Sequence, residues 1–447
     1  KAFFTILFFF FFSLNSTAQQ EEKTLKVTKI QVLGLKRTKE YVVEKILPFK
    51  SGDEISKSEL KQIEENTEEL LKNSFLFNSV QVKLNTIRNA FVEVLVVVSE
   101  RWYIWPLPVL DYADPNFNTW VKNGDWSRTN FGVNITDLNF RGRAEKLGLK
   151  LQFGYSKDFE LVYDSPYFYE KKNFGIGAKL GFMQRNEITV FTENDQRFFY
   201  LGDEGKSREV KTGEFYVSHN WKNRISQHFS ASISDVSVED SLLKLAPNYL
   251  LTNSNQLNYT SLGYSLKVDY RDSKVYPLNG VYFDLQVAQN GLGLFKENTT
   301  NTFVGKATVK AFKNIYKKFS IASSITGKYY SKTFVPYYLQ EGLGYYYNLR
   351  GYEFYVIDGQ QFGLFKSNLK YELIAPRKKN LFKNQSNKFS KFHYAFYLNV
   401  FFDAGYVKDD VYLSKNSLSN TLLMSKGVGI DFVTFYDRVF RLEWAVN

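Results

Sequence analysis

The chain has no cysteine, and its 447 residues include only three histidines, two methionines and nine prolines. Without cysteine there can be no disulfide staple, no thiolate metal site, no cysteine nucleophile and no lipid anchor on an N-terminal cysteine. The histidines, His219, His228 and His393, show no metal-ligand spacing to one another. No stretch reaches the roughly 18 consecutive apolar residues that a transmembrane helix requires. The sequence also lacks a G-x-S-x-G elbow, a phosphate-cradling G-x-x-x-x-G-K-[ST] loop and an H-E-x-x-H helix. The acidic pair Asp409-Asp410 reads as a turn, not an acid/base dyad. No catalytic residue, metal or cofactor is therefore expected, and the chain is expected not to be an enzyme.

What is present begins with a short apolar block. Lys1 is followed by Ala2-Phe3-Phe4-Thr5-Ile6-Leu7 and a phenylalanine run over residues 8–12, then by small and polar residues ending in Ser16-Thr17-Ala18. This pattern is a secretory signal with a cut expected after Ala18 (residues 1–18), too short to cross a bilayer as a helix. Position 1 is not methionine, so at least one upstream residue is expected. The formal net charge is +12, but the lysines and arginines are scattered, so no nucleic-acid partner is expected. Aromatic residues make up 18% of the chain while mean hydropathy stays at -0.33. Many aromatics spread through a polar sequence fit membrane strands, in which only alternate residues face lipid.

Two periods divide the chain. Within residues 25–100, Lys26-Val27-Thr28-Lys29-Ile30-Gln31-Val32 alternates until Gly34. Tyr41, Val42, Ile46 and Leu47 then recur at helical spacing, as do Leu60, Ile63, Leu70 and Leu71. Two strands follow, over residues 79–84 and 91–98, giving the order β-α-α-β-β of one small α+β domain. Beyond Glu100 the helical period disappears. Leu147, Leu149, Leu151, Phe153 and Tyr155 alternate with polar or small residues, as do Phe392, Tyr394, Phe396, Leu398, Val400 and Phe402. Val428, Ile430 and Phe432 repeat the pattern. A transmembrane β-barrel with a lipid-facing wall and a polar lumen requires this dyad over residues 101–447. A soluble sandwich also alternates, but it seldom carries an export signal and so many strand-end aromatics.

Fifteen strand candidates fall in the second region, beginning near Trp102, Asp125, Glu145, Lys157, Phe174 and Val210, then Gln227, Leu257, Gly280, Phe303 and Lys318, and lastly Gly363, Phe392, Ser425 and Arg438. Single-chain bacterial barrels have an even number of strands. A sixteenth, C-terminal strand is therefore expected beyond Asn447.

Several motifs resemble one family in order along the chain. Ile30-Gln31-Val32-Leu33-Gly34-Leu35-Lys36-Arg37-Thr38 resembles the opening strand and turn of a POTRA domain. Asn348-Leu349-Arg350-Gly351-Tyr352 resembles the Arg-Gly-aromatic motif in the sixth extracellular loop of the BamA- and TamA-type outer-membrane assembly superfamily, the bacterial surface antigen family. Asn139-Phe140-Arg141-Gly142-Arg143 and Asp164-Ser165-Pro166-Tyr167-Phe168 are similar to its second-to-third strand turn and the end of its fourth strand. Tyr276-Pro277-Leu278-Asn279-Gly280, after Asp269-Tyr270-Arg271-Asp272, resembles its mid-barrel hairpin. Tyr371-Glu372-Leu373-Ile374-Ala375-Pro376 and Phe401-Phe402-Asp403-Ala404-Gly405 resemble its twelfth and thirteenth strands. The resemblance implies a sixteen-strand barrel behind one POTRA-like domain.

One candidate site combines resemblance and strand phase. Glu372 lies in phase with Lys366, Asn368 and Lys370, opposite Phe365, Leu369 and Tyr371, so its carboxylate should face the lumen. Asp403 occupies the polar face of the next strand. A guanidinium can grip such carboxylates in a bidentate way that lysine cannot. The resemblance implies that Arg350, with Gly351 and Tyr352, pins loop six inside the barrel through Glu372 and Asp403. The residues alone leave another reading open, with Arg350 at a solvated loop tip and the acids paired with Lys366 or Lys370. Pro106 and Pro108, two apart, put their missing donors on the same strand edge. They either blunt pairing at a seam between first and last strands or belong to an extended linker.

The resemblance implies insertion of β-barrel clients or polypeptide translocation at the outer membrane. The POTRA-like domain would lie in the periplasm and receive unfolded outer-membrane proteins, a dedicated secreted partner, or periplasmic and lipoprotein partners. Outer-membrane lipid is the other expected partner. A single POTRA-like domain favours an accessory or specialised member. The alternative is a non-catalytic channel or structural subunit of a larger outer-membrane complex.

Overall fold

The computed structural model describes residues 24–447 apart from 89, 113–125, 170–172, 203–204, 296, 381–390, 412–415 and 435–437. The expected signal lies outside the described residues. The N-terminal unit runs β1 (Thr24–Leu33), α1 (Glu40–Ile46), β2 (Glu54–Ser56), α2 (Leu60–Asn73), β3 (Phe77–Ile87) and β4 (Phe91–Glu100). Its sheet has the order β2-β1-β4-β3, with β1 parallel to β4 and the other pairs antiparallel. Strand β2 corrects the expected β-α-α-β-β order. At three residues it is too short to show a period, and it exists only by pairing with Thr24, Leu25 and Lys26.

Alternation in β4 sends Val92, Val94, Val96 and Val98 into the core, where they meet Val42, Val43 and Ile46 of α1 and Leu70 and Leu71 of α2. The opposite side of α2 covers the free edge of β3. Glu68 accepts the Val82 N–H at 3.1 Å and Glu64 the Leu84 N–H at 2.7 Å. Donors that an incoming strand would use are thereby already satisfied.

The second region is one antiparallel sheet of fifteen strands. In chain order it uses β5 (Ile104–Tyr112), β6 (Thr129–Phe140), β7 (Glu145–Gly154), β8 (Lys157–Tyr169) and β9 (Phe174–Arg185). A separate hairpin, β10 (Glu187–Glu193) and β11 (Gln196–Leu201), stands outside the wall. The wall resumes with β12 (Arg208–Trp221), β13 (Ile225–Val238), the short α3 (Asp240–Leu245), β14 (Gln256–Asp269), β15 (Gly280–Asn290) and β16 (Thr302–Tyr316). It finishes with β17 (Phe319–Tyr330), β18 (Gln361–Asn380), β19 (Lys391–Lys408), β20 (Leu423–Thr434) and β21 (Arg438–Val446). Each wall strand pairs with its neighbour in sequence except that β9 meets β12. The fifteen wall strands match the fifteen expected. Strand β6 starts at Thr129, a few residues after the expected Asp125, which lies outside the described residues.

The wall presents apolar side chains outward on every second residue. Phe131, Leu149, Phe153, Leu161, Leu180, Phe215, Ile233, Ile325, Val400 and Val428 are all exposed. A soluble protein seldom leaves so large a contiguous apolar belt uncovered. Outward rings form rows, with Phe131, Phe153, Phe159 and Phe182 following one another across β6 to β9 at centroid spacings of 6.4, 5.0 and 5.7 Å. No helix among the described residues is long and apolar enough to cross a membrane.

The N-terminal unit docks on the turns at the near end of the sheet, the end from which β5 departs. Lys39 N–H donates to the Gly142 carbonyl at 2.8 Å, and Asn139 Nδ2 to Thr38 Oγ1 at 2.9 Å. Arg37 pairs with Asp137 at 2.5 Å. Asn223 Nδ2 reaches the Lys45 carbonyl at 2.8 Å, and Arg224 the Asn66 side chain at 2.6 Å. The joint is held from within by Glu100, which is 4% exposed and accepts the N–H groups of Lys36, Arg37 and Thr38 at 3.1, 3.0 and 2.7 Å. Beside it burial pushes the Tyr103 hydroxyl up to about 12. The neutral phenol donates to the Leu76 carbonyl at 2.9 Å.

Candidate functional site

The connection between β17 and β18, residues 331–360, folds back into the sheet from the far end. Apolar side chains seat it: Leu343, Leu349 and Ile357 are at most 2% exposed and pack against Phe362, Leu364, Val407 and Leu423. At the deepest part of this cluster Leu349 is followed by Arg350. Its guanidinium grips both oxygens of Asp403, Nε to Oδ2 at 2.7 Å and Nη2 to Oδ1 at 2.5 Å. Nη1 donates to Asn368 Oδ1 at 2.9 Å and Glu443 Oε1 at 2.8 Å. One side chain thus ties the loop to β18, β19 and β21.

Spacing along β19 explains the receptor for the loop. Residues 401, 403 and 405 share one face of the strand. The Phe401 ring lies under the guanidinium at 3.7 Å, Asp403 supplies the charge, and Gly405 leaves room for Leu343 and Leu349. The Asp403 side chain is 0% exposed and Arg350 12%. A carboxylate so fully removed from water is tolerable only when paired and hydrogen-bonded, as here. Lys366 Nζ stands at 3.9 Å from Asp403, the outer limit of an ion pair, so the alternative of lysine pairing is subordinate to the arginine.

Gly351 has φ +85°, and a Cβ there would meet the Cβ atoms of Ser425 and Asn447 at 3.3 and 3.4 Å. Backbone shape and close approach both call for glycine. Tyr352 donates weakly to the Met424 carbonyl at 3.4 Å. A Cβ on Gly405 would lie 3.0 Å from Leu343 Cδ1 and 3.4 Å from Leu349 Cδ2. Gly405→Val is therefore expected to unseat the loop at a cost of about 1–3 kcal/mol, the usual range for overpacking. The check is protease cleavage within residues 331–360, which should accelerate in the variant; an unchanged rate would show that the loop tolerates the extra volume.

Glu372 is not a partner of Arg350, and this corrects the expectation. Lys366 is the register partner of Asp403, while Glu372 pairs with Tyr397. Six residues of strand separate them, about 20 Å at 3.3 Å per residue. The second carboxylate is Glu443 instead. Pro106 and Pro108 lie within β5, opposite Ile135 and Val133 of β6, so they are strand residues and not a linker. Leu138 N–H donates to the Tyr103 carbonyl, which puts the odd-numbered residues of β5 in the hydrogen-bonded pairs with β6. The nitrogens of both prolines therefore turn to the edge away from β6. Among the described residues β5 has no other strand neighbour.

The other motif residues are joints of the scaffold. Asn139 and Gly142 hold the N-terminal unit, and Asp164 accepts the Tyr216 hydroxyl at 2.7 Å. Asp272 caps the β14–β15 turn by accepting the N–H groups of Ser273 and Leu278. From that turn Tyr276 reaches inside and donates to Asp431 at 2.7 Å, its ring 4.6 Å from Tyr397. His219 packs on Phe174 and His228 on Tyr216. Among the described residues no three His, Asp or Glu gather as metal ligands.

Comparison with known proteins supplies the family. Residues 116–434 match the family model described as the Omp85 superfamily domain. Residues 25–101 match the surface antigen variable number repeat, the POTRA model. Among curated proteins none matches the chain in sequence. Solved structures share the fold, BamA and CdiB among them. BamA from Haemophilus ducreyi lacking POTRA domains 1–3 is 13% identical with a TM-score of 0.52, the alignment covering 94% of this chain and 84% of that one. CdiB from Escherichia coli is 10% identical with a TM-score of 0.53, covering 94% and 76%. At such identities the likeness concerns the fold alone.

Proposed function

The chain belongs to the Omp85 superfamily, and from that premise we propose that it inserts β-barrel clients into the outer membrane or passes polypeptide across it. In this reading the POTRA-like domain lies in the periplasm and the exposed apolar belt in lipid. The observation that carries it is the Arg350 clamp. It braces loop six against β21 through Glu443, while β5 pairs among the described residues with β6 alone. The C-terminal side of the wall is thus braced from within, and the β5 edge is left able to part. Such work needs placement and a weak seam, with no bond made or broken in the client and no cofactor, so the protein is not an enzyme.

Clients or partners would reach the POTRA-like sheet by strand addition. Glu64 and Glu68 cover the β3 edge, so addition is assigned to the β1–β2 side, where β2 pairs with only three residues of β1. The test is the folding rate of a denatured barrel client in liposomes holding the full-length protein, compared with empty liposomes and with Arg350→Ala. Acceleration that depends on Arg350 supports the reading. A correctly folded protein without acceleration would move the assignment to a dedicated secretion pore or a structural subunit.

The prolines make a second check. With no donors at 106 and 108, the open edge of β5 can accept hydrogen bonds there but cannot give them. Pro106→Ala with Pro108→Ala is expected to strengthen pairing at that edge, raising the yield of crosslinks between cysteines introduced on β5 and on the strand facing it, and to slow client folding. The native chain has no cysteine to confuse the result. Unchanged crosslinking and activity would remove the seam role from both prolines.

A further inference from the structure

Three cavities inside the sheet each carry more cations than carboxylates. A cavity of about 710 Å³ under the far-end loops is lined by Arg185, Arg197, Arg208, Lys306 and Lys328, against the acids Glu187 and Glu341. A second, of about 530 Å³ around the Arg350 clamp, contains Lys310, Lys366, Lys370 and Arg441 against the acids Glu353, Asp431 and Glu443. A third, of about 420 Å³ at the POTRA joint, contains Lys267, Arg271 and Lys274, with Asp269 the one acid on its wall.

Three placements along β16, β17 and β18 do not fit a wall meant to stand empty. Lys306 and Lys328 are direct cross-strand partners, an arrangement of like charges that destabilises a sheet, and it is offset in part by Glu341, 3.3 Å from Lys328 Nζ. Lys310 and Lys366 lie in one row, each opposite Ser324 of the strand between them. Lys370 is 6% exposed and has no carboxylate within ion-pair distance among the described residues. Its ammonium rests over the Tyr276 ring at 3.9 Å. In the far cavity the buried Nε of Arg208 has no hydrogen-bond acceptor. Charges aligned inside low-dielectric walls reinforce one another's field and concentrate counter-ions. The repulsion is relieved when a chain of anions enters.

We propose that the lumen face of β16–β18 is a lysine ladder that receives acidic segments of polypeptide. The rungs fall four residues apart along the strands, about 13 Å, so in an extended chain whose side chains repeat at about 6.6–6.8 Å on one face every second one meets a rung. The identity of the occupant rests on the translocation reading above; the anion site itself stands on the charges. Lipid headgroups are excluded by position, since the ladder faces inward, away from the apolar belt.

The experiment measures fluorescence anisotropy of labelled oligoglutamate with the full chain in nanodiscs. Oligolysine and tripolyphosphate serve as competing probes. Oligoglutamate is expected to bind, to weaken as salt rises, and to bind about tenfold or more weakly when Lys306, Lys310 and Lys370 are all changed to glutamine. Relief of like-charge repulsion should leave this variant folded, and Lys306→Gln alone serves where it does not. Absence of salt-sensitive binding, or equal binding by the variants, overturns the ladder. Binding of tripolyphosphate that oligoglutamate cannot displace overturns its assignment to polypeptide. Client folding followed in parallel separates the two readings: folding that still depends on Arg350 without oligoglutamate binding removes the ladder alone.

Discussion

Arg350→Ala is expected to release loop six and to abolish the acceleration of client folding. The size of the effect comes from what is left behind. Asp403 is 0% exposed, and removing its bidentate partner strands a carboxylate out of water. Breaking a buried pair from one side typically costs about 3–5 kcal/mol. Among the described residues Lys366, at 3.9 Å, is the other cation within ion-pair distance of Asp403, so the loss should fall toward the lower end of that range. Adding Lys366→Met to Arg350→Ala should then cost more than the sum of the two single changes, as coupled neighbours do. Arg350→Lys should rescue little. A single ammonium cannot reach Asn368, Asp403 and Glu443 together, and it lacks the planar surface that lies on Phe401. The measurements are the temperature at which the barrel loses its compact mobility on gels and the rate of loop cleavage in vesicles. Strict additivity, or a loop still protected in Arg350→Ala, would sink this account.

How much of this arrangement could be read from the chain depends on how local its causes are. Wall strands announce themselves because lipid on one side and water on the other impose a period of two, and Leu147 to Phe153 or Phe396 to Phe402 cannot satisfy that in a helix. Hairpin β10–β11 escaped because its strands are short and belong to no wall. Its turn was nonetheless legible: Asn194 and Asp195 have φ of +54° and +58°, the pair of left-handed residues that a two-residue hairpin favours. Asp403 was visible by phase. Glu372 was misassigned because phase fixes the face of a strand but not the depth at which a loop enters. Glu443 could have been found by its alternation with Leu442 and Trp444, both strongly exposed, but nothing local says that β21 passes beside loop six. The docking of the POTRA-like domain was the least legible. Gly142 proclaims a tight turn by its residue type, yet its neighbour, the Arg37 carbonyl, lies more than a hundred residues away in sequence.

That joint supplies the second large effect. Glu100→Ala is expected to free the POTRA-like domain from the barrel. Three N–H groups would lose their acceptor, that of Thr38 in a buried place and those of Lys36 and Arg37 in part-buried ones, and an orphaned buried donor costs about 1–3 kcal/mol. Gly142→Val should produce the same separation by unrelated means, since a Cβ there would fall 2.0 Å from the Arg37 carbonyl oxygen. Agreement between a polar deletion and a steric insertion would tie the outcome to the joint itself and not to either residue. Acidity provides a third handle. Burial pushes the Glu100 carboxyl up, but the N–H donors outweigh it and hold the group below its ordinary value of 4.5. A carboxylate depressed in the folded state contributes stability that is fully present above its unfolded pKa and is lost as pH falls through the folded value. Docking should therefore be constant near neutrality, begin to weaken below about pH 4.5 and fail further as the folded carboxyl titrates. Glu100→Gln, which keeps the shape without the charge, should weaken docking at neutral pH and flatten this acid response. Spin labels on cysteines placed at the exposed Lys36 and Arg143 would report the distance across the joint. A distribution that stays narrow in Glu100→Ala and Gly142→Val would mean that the domain is held by its other contacts, those of Asn223 and Arg224. In that case the clasp near Gly142 would only orient a domain anchored elsewhere, and acid would leave the distance unchanged.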